Sequence, residues 1–225
     1  MKIEFIIPTY NRVHHLMTII SSIFAQTNPN WSIHVVADCP PEGTLDKIMN
    51  FYKDSDKIKF TILEKRYNDW GHTPRNYGLK NSKEEWVIMT GEDNYYVPTF
   101  VEEFLKVATH NTIFVYCNMV HNWKNNDYVA IKSQPILGHI DIGNFMVKKR
   151  LAKDMELDVT KINADGLFVE DCFKHPGLRS INLDKILTVS VVQAAPVASS
   201  TVLSSLWFSI VVLYYRSWVI VKSIS

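Results

Sequence analysis

Glu85-Trp-Val-Ile-Met-Thr-Gly-Glu-Asp-Asn94 decides the fold. An apolar run of strand length stops at a glycine and two adjacent carboxylates, Glu92 and Asp93, which a strand buried on both faces would present at its carboxyl end. In a parallel sheet that edge is where ligands bind. Two neighbouring acids repel each other and lose hydration on burial, so the pair fits a site that shares a cation or a cationic transition state. Gly91-Glu-Asp-Asn94 also fits an acidic turn leading into a helix. The rest of the chain has to decide between the two.

Working outward, short apolar runs alternate with helical periodicity. Lys2 to Pro8 reads as a buried strand stopped by a proline that cannot continue a ladder. From Val13 to Ala25, Leu16, Ile19, Ile20, Ile23 and Phe24 recur at helical spacing and form one apolar stripe. Trp31 to Ala37 is a second strand, closed by Asp38-Cys-Pro-Pro-Glu-Gly43, and Leu45 to Tyr52 is a helix before a third strand, Ile58 to Leu63. Pro74 opens a helix over Arg75 to Asn81, Pro98 to Ala108 is another, and Ile113 to Val120 is a strand. Beyond it come a turn at Lys124 to Asp127, a returning strand at Tyr128 to Ile131 and a glycine-bracketed loop, Gly138 to Gly143. Such alternation predicts right-handed crossovers and an α/β architecture with a mainly parallel, doubly wound sheet.

Composition narrows the function. The 225 residues carry 24 Lys plus Arg against 23 Asp plus Glu, so there is no basic field for nucleic acid. Cys39, Cys117 and Cys172 are widely spaced and odd in number, which argues against a disulfide framework or a structural zinc site. Met1 to Pro8 carries Glu4 and lacks a small-residue cleavage site, so it does not read as a signal peptide. These features suggest the cytoplasm, or the host cytoplasm for a viral protein. The C-terminus differs in kind. No ionisable acid or base occurs from Ile186 up to Tyr215, and Val197 to Tyr215 is about long enough to span a bilayer. Residues 1–187 are therefore read as one domain and 188–225 as an apolar tail, either membrane-associated or folded as buried strands.

Pro8-Thr-Tyr-Asn-Arg12 sits just past the first strand, and Asp38 ends the second, so both face the same edge as Glu92 and Asp93. Together with Thr73-Pro-Arg-Asn-Tyr-Gly-Leu79 and Val169-Glu-Asp-Cys-Phe-Lys174, this set resembles the inverting family 2 glycosyltransferases of the GT-A fold. The resemblance spans about Met1 to His175 and rests on the order of several weak motifs. It implies a Rossmann-like sheet flanked by helices and a UDP-activated sugar donor. It also implies a divalent metal, Mn2+ or Mg2+, on the donor diphosphate, and a glycan or protein-linked acceptor. Pro8, Thr9, Tyr10 and Arg12 match the nucleotide pocket, Asp38 the aspartate that accepts from the uracil imide, and Arg75 the arginine near the phosphates. Asp93 matches the metal ligand and Glu92 a residue nearer the ribose. Asp171, in a Glu-Asp segment the family places at a helix start, matches the catalytic base, and Asp141 competes with it. A looser whole-chain resemblance is to the sugar transferases with which large algal viruses, the chloroviruses, glycosylate their capsid protein.

Other polar and aromatic residues invite weaker readings. His139 and His175 are candidates for extra metal or acceptor contacts, and Trp70 for stacking on a sugar or base. His14 and His15 point in different directions on a helix start, which argues against a shared metal. Three rival functions are kept. A sugar nucleotidyltransferase would need a glycine-rich basic loop after the first strand, and Pro8 to Arg12 contains no glycine. A silent carbohydrate- or partner-binding module would keep the fold without turnover. A membrane-anchored scaffold would follow from the tail alone.

Overall fold

The computed structural model describes residues 1–123, 127–152 and 155–190. The elements run β1 (Ile3–Thr9), α1 (Val13–Phe24), β2 (Trp31–Ala37), α2 (Asp46–Phe51), β3 (Ile58–Ile62), α3 (His72–Asn81), β4 (Trp86–Met89), β5 (Asn94–Tyr96) and α4 (Phe100–Val107). They continue with β6 (Phe114–Trp123), β7 (Asp127–Ile131), β8 (Phe145–Lys148), α5 (Lys149–Ala152), α6 (Ala164–Phe173) and β9 (Ser180–Ser190). Every residue of β1, β2 and β4 is buried, as expected of strands covered on both faces.

The sheet order is β3-β2-β1-β4-β8-β6-β9-β5, with β7 hydrogen-bonded to β6. The first four strands are parallel. Beyond them the sheet is mixed: β8 runs antiparallel to β4 and to β6, β9 is parallel to β6, and β5 is antiparallel to β9. The expectation of a mainly parallel sheet therefore holds only for the N-terminal half. The reason is geometric. After β4 the chain crosses to β6 and leaves an empty lane, which β8 fills from the opposite direction. Descending that lane, β8 brings the loop before it, with Asp141, to the carboxyl edge of β4.

Two cores sandwich the sheet. Phe5, Tyr96, Phe100 and Phe104 pack with the apolar stripe of α1 on one face. Ile6, Leu79, Phe114, Phe145 and Phe168 fill the other, under α3 and α6. A methyl group on Gly78 would overlap the side chain of Ile6, so this glycine lets α3 lie directly on β1. The close seating sets the reach of Arg75, one turn earlier on the same helix.

Two helix boundaries differ from the sequence reading. α3 starts at His72, so Pro74 is its third residue, still within the first turn, where the missing N–H has no intrahelical partner to lose. α6 starts at Ala164, which moves Glu170 and Asp171 from the expected helix start into its last turn. Strand β9 runs through Thr188 and Ser190, both buried, into positions the sequence assigns to the tail. Among the described residues no helix is long and apolar enough to cross a membrane, and the apolar stretch Val197 to Tyr215 lies outside them.

Candidate active site

Strand register brings the separated motifs to one rim. Thr9 lies beside Ala37 and Ile6 beside Met89, so the residues that follow each strand emerge together. Backbone bonds continue the ladder past the strands: Asp38 N donates to Thr9 O at 2.8 Å and Thr90 N to Ile6 O at 3.0 Å. Glu92, 5% exposed, closes the rim. Thr9 Oγ1 donates to its Oε2 at 2.6 Å, and Arg12 Nε donates to its Oε1 in a tight ion pair. Burial pushes the Glu92 carboxyl up, the Thr9 hydroxyl and Arg12 pull it down, and neighbouring Asp93 pushes it up again. Both Glu92 oxygens are thus engaged in joining the acidic turn to the end of β1.

Arg75 is the buried cation of the site. Its Nε donates to Thr90 O and its Nη1 to Trp70 O, both at 2.9 Å. Burial works against its charge, while Asp93, Asp141, Asp165 and Asp69 favour it, in that order. Asp93 and Asp165 are partly exposed. Part of Asp141 also reaches the surface, but protein atoms crowd its carboxylate. Burial, then Asp165, then Asp93 push that carboxyl above the usual range, against the pull of the Gly143 N–H and His121. Three carboxylates around one guanidinium leave a surplus of negative charge, which suits a cation.

That surplus tests the metal implied by the sequence. Among the described residues no three His, Cys, Asp or Glu side chains are grouped to hold an ion. A closed protein cage is therefore not built here. The oxygen donor of Asp93 fits a divalent ion that takes most of its ligands from a bound diphosphate, in the manner of magnesium. His15, on the first turn of α1, also lies in this field. Burial and Arg12 lower its pKa, and Asp93 raises it. Its neighbour His14 is exposed.

The nucleotide-side residues are placed unevenly. Asp38 is buried, and its carboxylate accepts Tyr67 N at 2.8 Å and Asn68 N at 2.9 Å, so it also anchors the loop ahead of α3. Arg66 on that loop lies 3.6 Å over the ring of Tyr10, and Pro8 ends up packed beneath Gly71. α3 braces the far side of the rim. The Asn76 side-chain amide donates to Leu157 O and accepts from Leu157 N, both at 2.9 Å, and His72 Nε2 meets Lys161 O at 3.0 Å. These ties fix the segment leading into α6.

Asp171 stands apart from the cluster. It is exposed on the last turn of α6 and ion-pairs with Lys174 at 2.7 Å. His175 is exposed just past that helix, with Nδ1 accepting Gly177 N at 3.2 Å, and His139 is exposed as well. What the sequence reading missed is Asp165, the acid in the first turn of α6, which acts on Arg75, His72 and Asp141. It also missed Asp69, which accepts Thr73 N at 3.0 Å and fixes the start of α3. The signals were present: an Asp before a helix and an acid in its first turn are ordinary start marks.

Comparison with known proteins agrees with this geometry. The poly(ribitol-phosphate) β-N-acetylglucosaminyltransferase TarS of Staphylococcus aureus is 32% identical over 97 residues, which cover 42% of this chain and 17% of TarS. An uncharacterized glycosyltransferase of Haemophilus influenzae is 26% identical over 140 residues, covering 60% of this chain and 44% of its own length. The crystal structure of S. aureus TarS 1-349 in complex with UDP-GlcNAc superposes with a TM-score of 0.69 at 20% identity, covering 90% of this chain and 62% of that one. The likeness shows the GT-A fold, and the chain spans less than two thirds of the length of these relatives. Residues 4–170 match the family model described as Glycosyl transferase family 2. With strand ends, acidic turn and buried arginine converging on one rim, the chain belongs to glycosyl transferase family 2.

Proposed function

We propose that the chain transfers a sugar from a UDP-activated donor to a hydroxyl of a glycan acceptor, with inversion at the anomeric carbon. The observation that carries this reading is Arg75, buried and bonded to the Thr90 carbonyl just past β4, on the rim that also carries Asp93. Family membership and relatives whose names and structures include UDP-sugars support the donor. The protein-linked acceptor and the viral setting rest on the whole-chain resemblance alone. The cytoplasmic location and the membrane-associated tail rest on the sequence.

The chain's own groups divide the work. Arg75 and Arg12 set positive charge beside the place where a departing diphosphate gains negative charge. A divalent cation held by Asp93, manganese or magnesium, supplies Lewis-acid neutralisation of that diphosphate when bound. The acceptor hydroxyl must lose a proton to a carboxylate. Asp171 pairs with Lys174 on the exposed last turn of α6, so we assign the base to Asp165 on the first turn, with Asp141 as the alternative.

The test is UDP release from UDP-GlcNAc with manganese, with and without saccharide acceptors, in the wild type and in Asp93→Ala. Metal-dependent release that Asp93→Ala loses supports the transferase. Thermal unfolding supplies a second reading, because UDP at a hundred times its dissociation constant should stabilise the fold by about 2.7 kcal/mol. UDP binding with no release from any UDP-sugar would instead identify a silent binding module.

A further inference from the structure

Between β3 and α3 the backbone turns left-handed at Asn68, Trp70 and Gly71, with φ of 55°, 58° and 82°. Glycine takes such angles freely and asparagine tolerates them, but a bulky side chain there is strained. The strain at Trp70 is held from several sides. Asp38 takes the N–H groups of Tyr67 and Asn68, Arg75 Nη1 binds the Trp70 carbonyl, and Asp69 Oδ2 accepts Thr73 N. Gly71 packs on the rim itself, since a methyl group there would lie 2.9 Å from Pro8 Cβ.

Such strain would be unremarkable if it drove the indole into the core. It does the opposite: Trp70 is 55% exposed, although a tryptophan is among the side chains that gain most from burial. Its ring neighbour among the described residues is His72, 5.9 Å away and tilted by 45°. In the same turn two buried polar atoms, Asp69 Oδ1 and His72 Nδ1, have no hydrogen-bond partner among the described residues. Strain that the surroundings over-determine, spent on display and not on packing, marks a functional position.

The neighbours indicate what the indole meets. Ahead of Trp70 the turn is tied to the nucleotide side, with Tyr67 and Asn68 bound to Asp38 and Arg66 lying over Tyr10. Past it, His72 binds the Lys161 carbonyl, three residues before α6, whose first turn carries Asp165. We propose that Trp70 is the stacking platform for the acceptor sugar, its indole face covering the apolar C–H face of a pyranose beside Asp165. The inference rests on the transferase reading and deepens it, making Trp70 a determinant of acceptor choice. A flat aromatic surface suits a ring with one apolar face, so pyranosides should be favoured over open-chain polyols.

The full chain labelled with 5-fluorotryptophan tests this by 19F NMR, with the Trp70 resonance assigned from the Trp70→Phe spectrum. With UDP and manganese present, methyl pyranosides should shift that resonance and glycerol should not. Trp70→Ala should weaken methyl pyranoside binding, or raise the saccharide KM, by about tenfold, with Trp70→Phe in between and the UDP dissociation constant as in wild type. A resonance that moves with UDP alone, or that no saccharide moves, overturns the proposal. Wild-type protein that shows the pyranoside shift but releases no UDP from any UDP-sugar defeats the transferase reading and leaves the sugar platform standing.

Discussion

The two halves of the sheet solve different problems. In β3-β2-β1-β4, parallel strands run to one edge, β4 stopping three residues short of β1, and their short exits deliver Thr9, Arg12, Asp38 and Glu92 to a rim held by backbone and side-chain bonds. In β8-β6-β9-β5 the strands are of mixed direction, with β6 and β9 parallel, and the polar groups arrive on loops and on the first turn of α6. The first half suits one recurring ligand. On the reading given above it holds the nucleotide, while the acceptor lies between Trp70, on the loop after β3, and Asp165, on the second half.

The sharpest way to break that division is at Asp165. Asp165→Asn should lower transfer by about 10²–10⁴-fold while UDP binding persists, and Asp171→Asn should stay near wild type. If Asp171→Asn proves to be the dead variant, the base belongs to the far end of α6 and the division fails. The next effect is on the parallel side. Asp93→Asn should cost about 10²–10³-fold in kcat and raise the manganese concentration needed for half activity, which a metal titration of UDP release reads directly. An unchanged manganese requirement would remove Asp93 as the metal ligand.

Two smaller effects concern stability. Gly78→Val should force α3 off Ile6 and destabilise the fold by about 1–3 kcal/mol, measured by urea unfolding, with Arg75 displaced and UDP affinity reduced as well. Asp141→Asn should act in the opposite sense. Its folded-state pKa is raised by burial and by Asp165 and Asp93, so its contribution is fully present below the ordinary aspartate pKa and is lost as pH rises through the raised value. The asparagine variant should therefore match wild type in acid and exceed its melting temperature at neutral pH. Equal melting temperatures at both ends would show that Asp141 is not under strain.

This contrast also explains what could be read from the sequence. Strand β2 occupies the stretch Trp31–Ala37 expected of it, and α1 covers the apolar stripe, because burial on one or two faces writes a local pattern. Pairing direction writes none, so nothing in Phe145-Met-Val-Lys148 says that it descends between two ascending strands. Strand β9 is harder still: its first seven residues are exposed or half-buried, and Asp184, with φ of 39°, interrupts its pairing with β6. Glu170-Asp171 resembles a segment the family places at a helix start, yet here the helix that carries it begins upstream, and the acid in its first turn is Asp165.

The antiparallel entry of β8 has an engineering consequence. The stretch from Lys132 to Asn144 leaves one strand and re-enters another that lies on the far side of β4 from β1, β2 and β3. On the reading given above, exchanging it for the corresponding segment of a relative, with Asp141 and Gly143 kept, should alter the acceptor taken while sparing the grip on UDP.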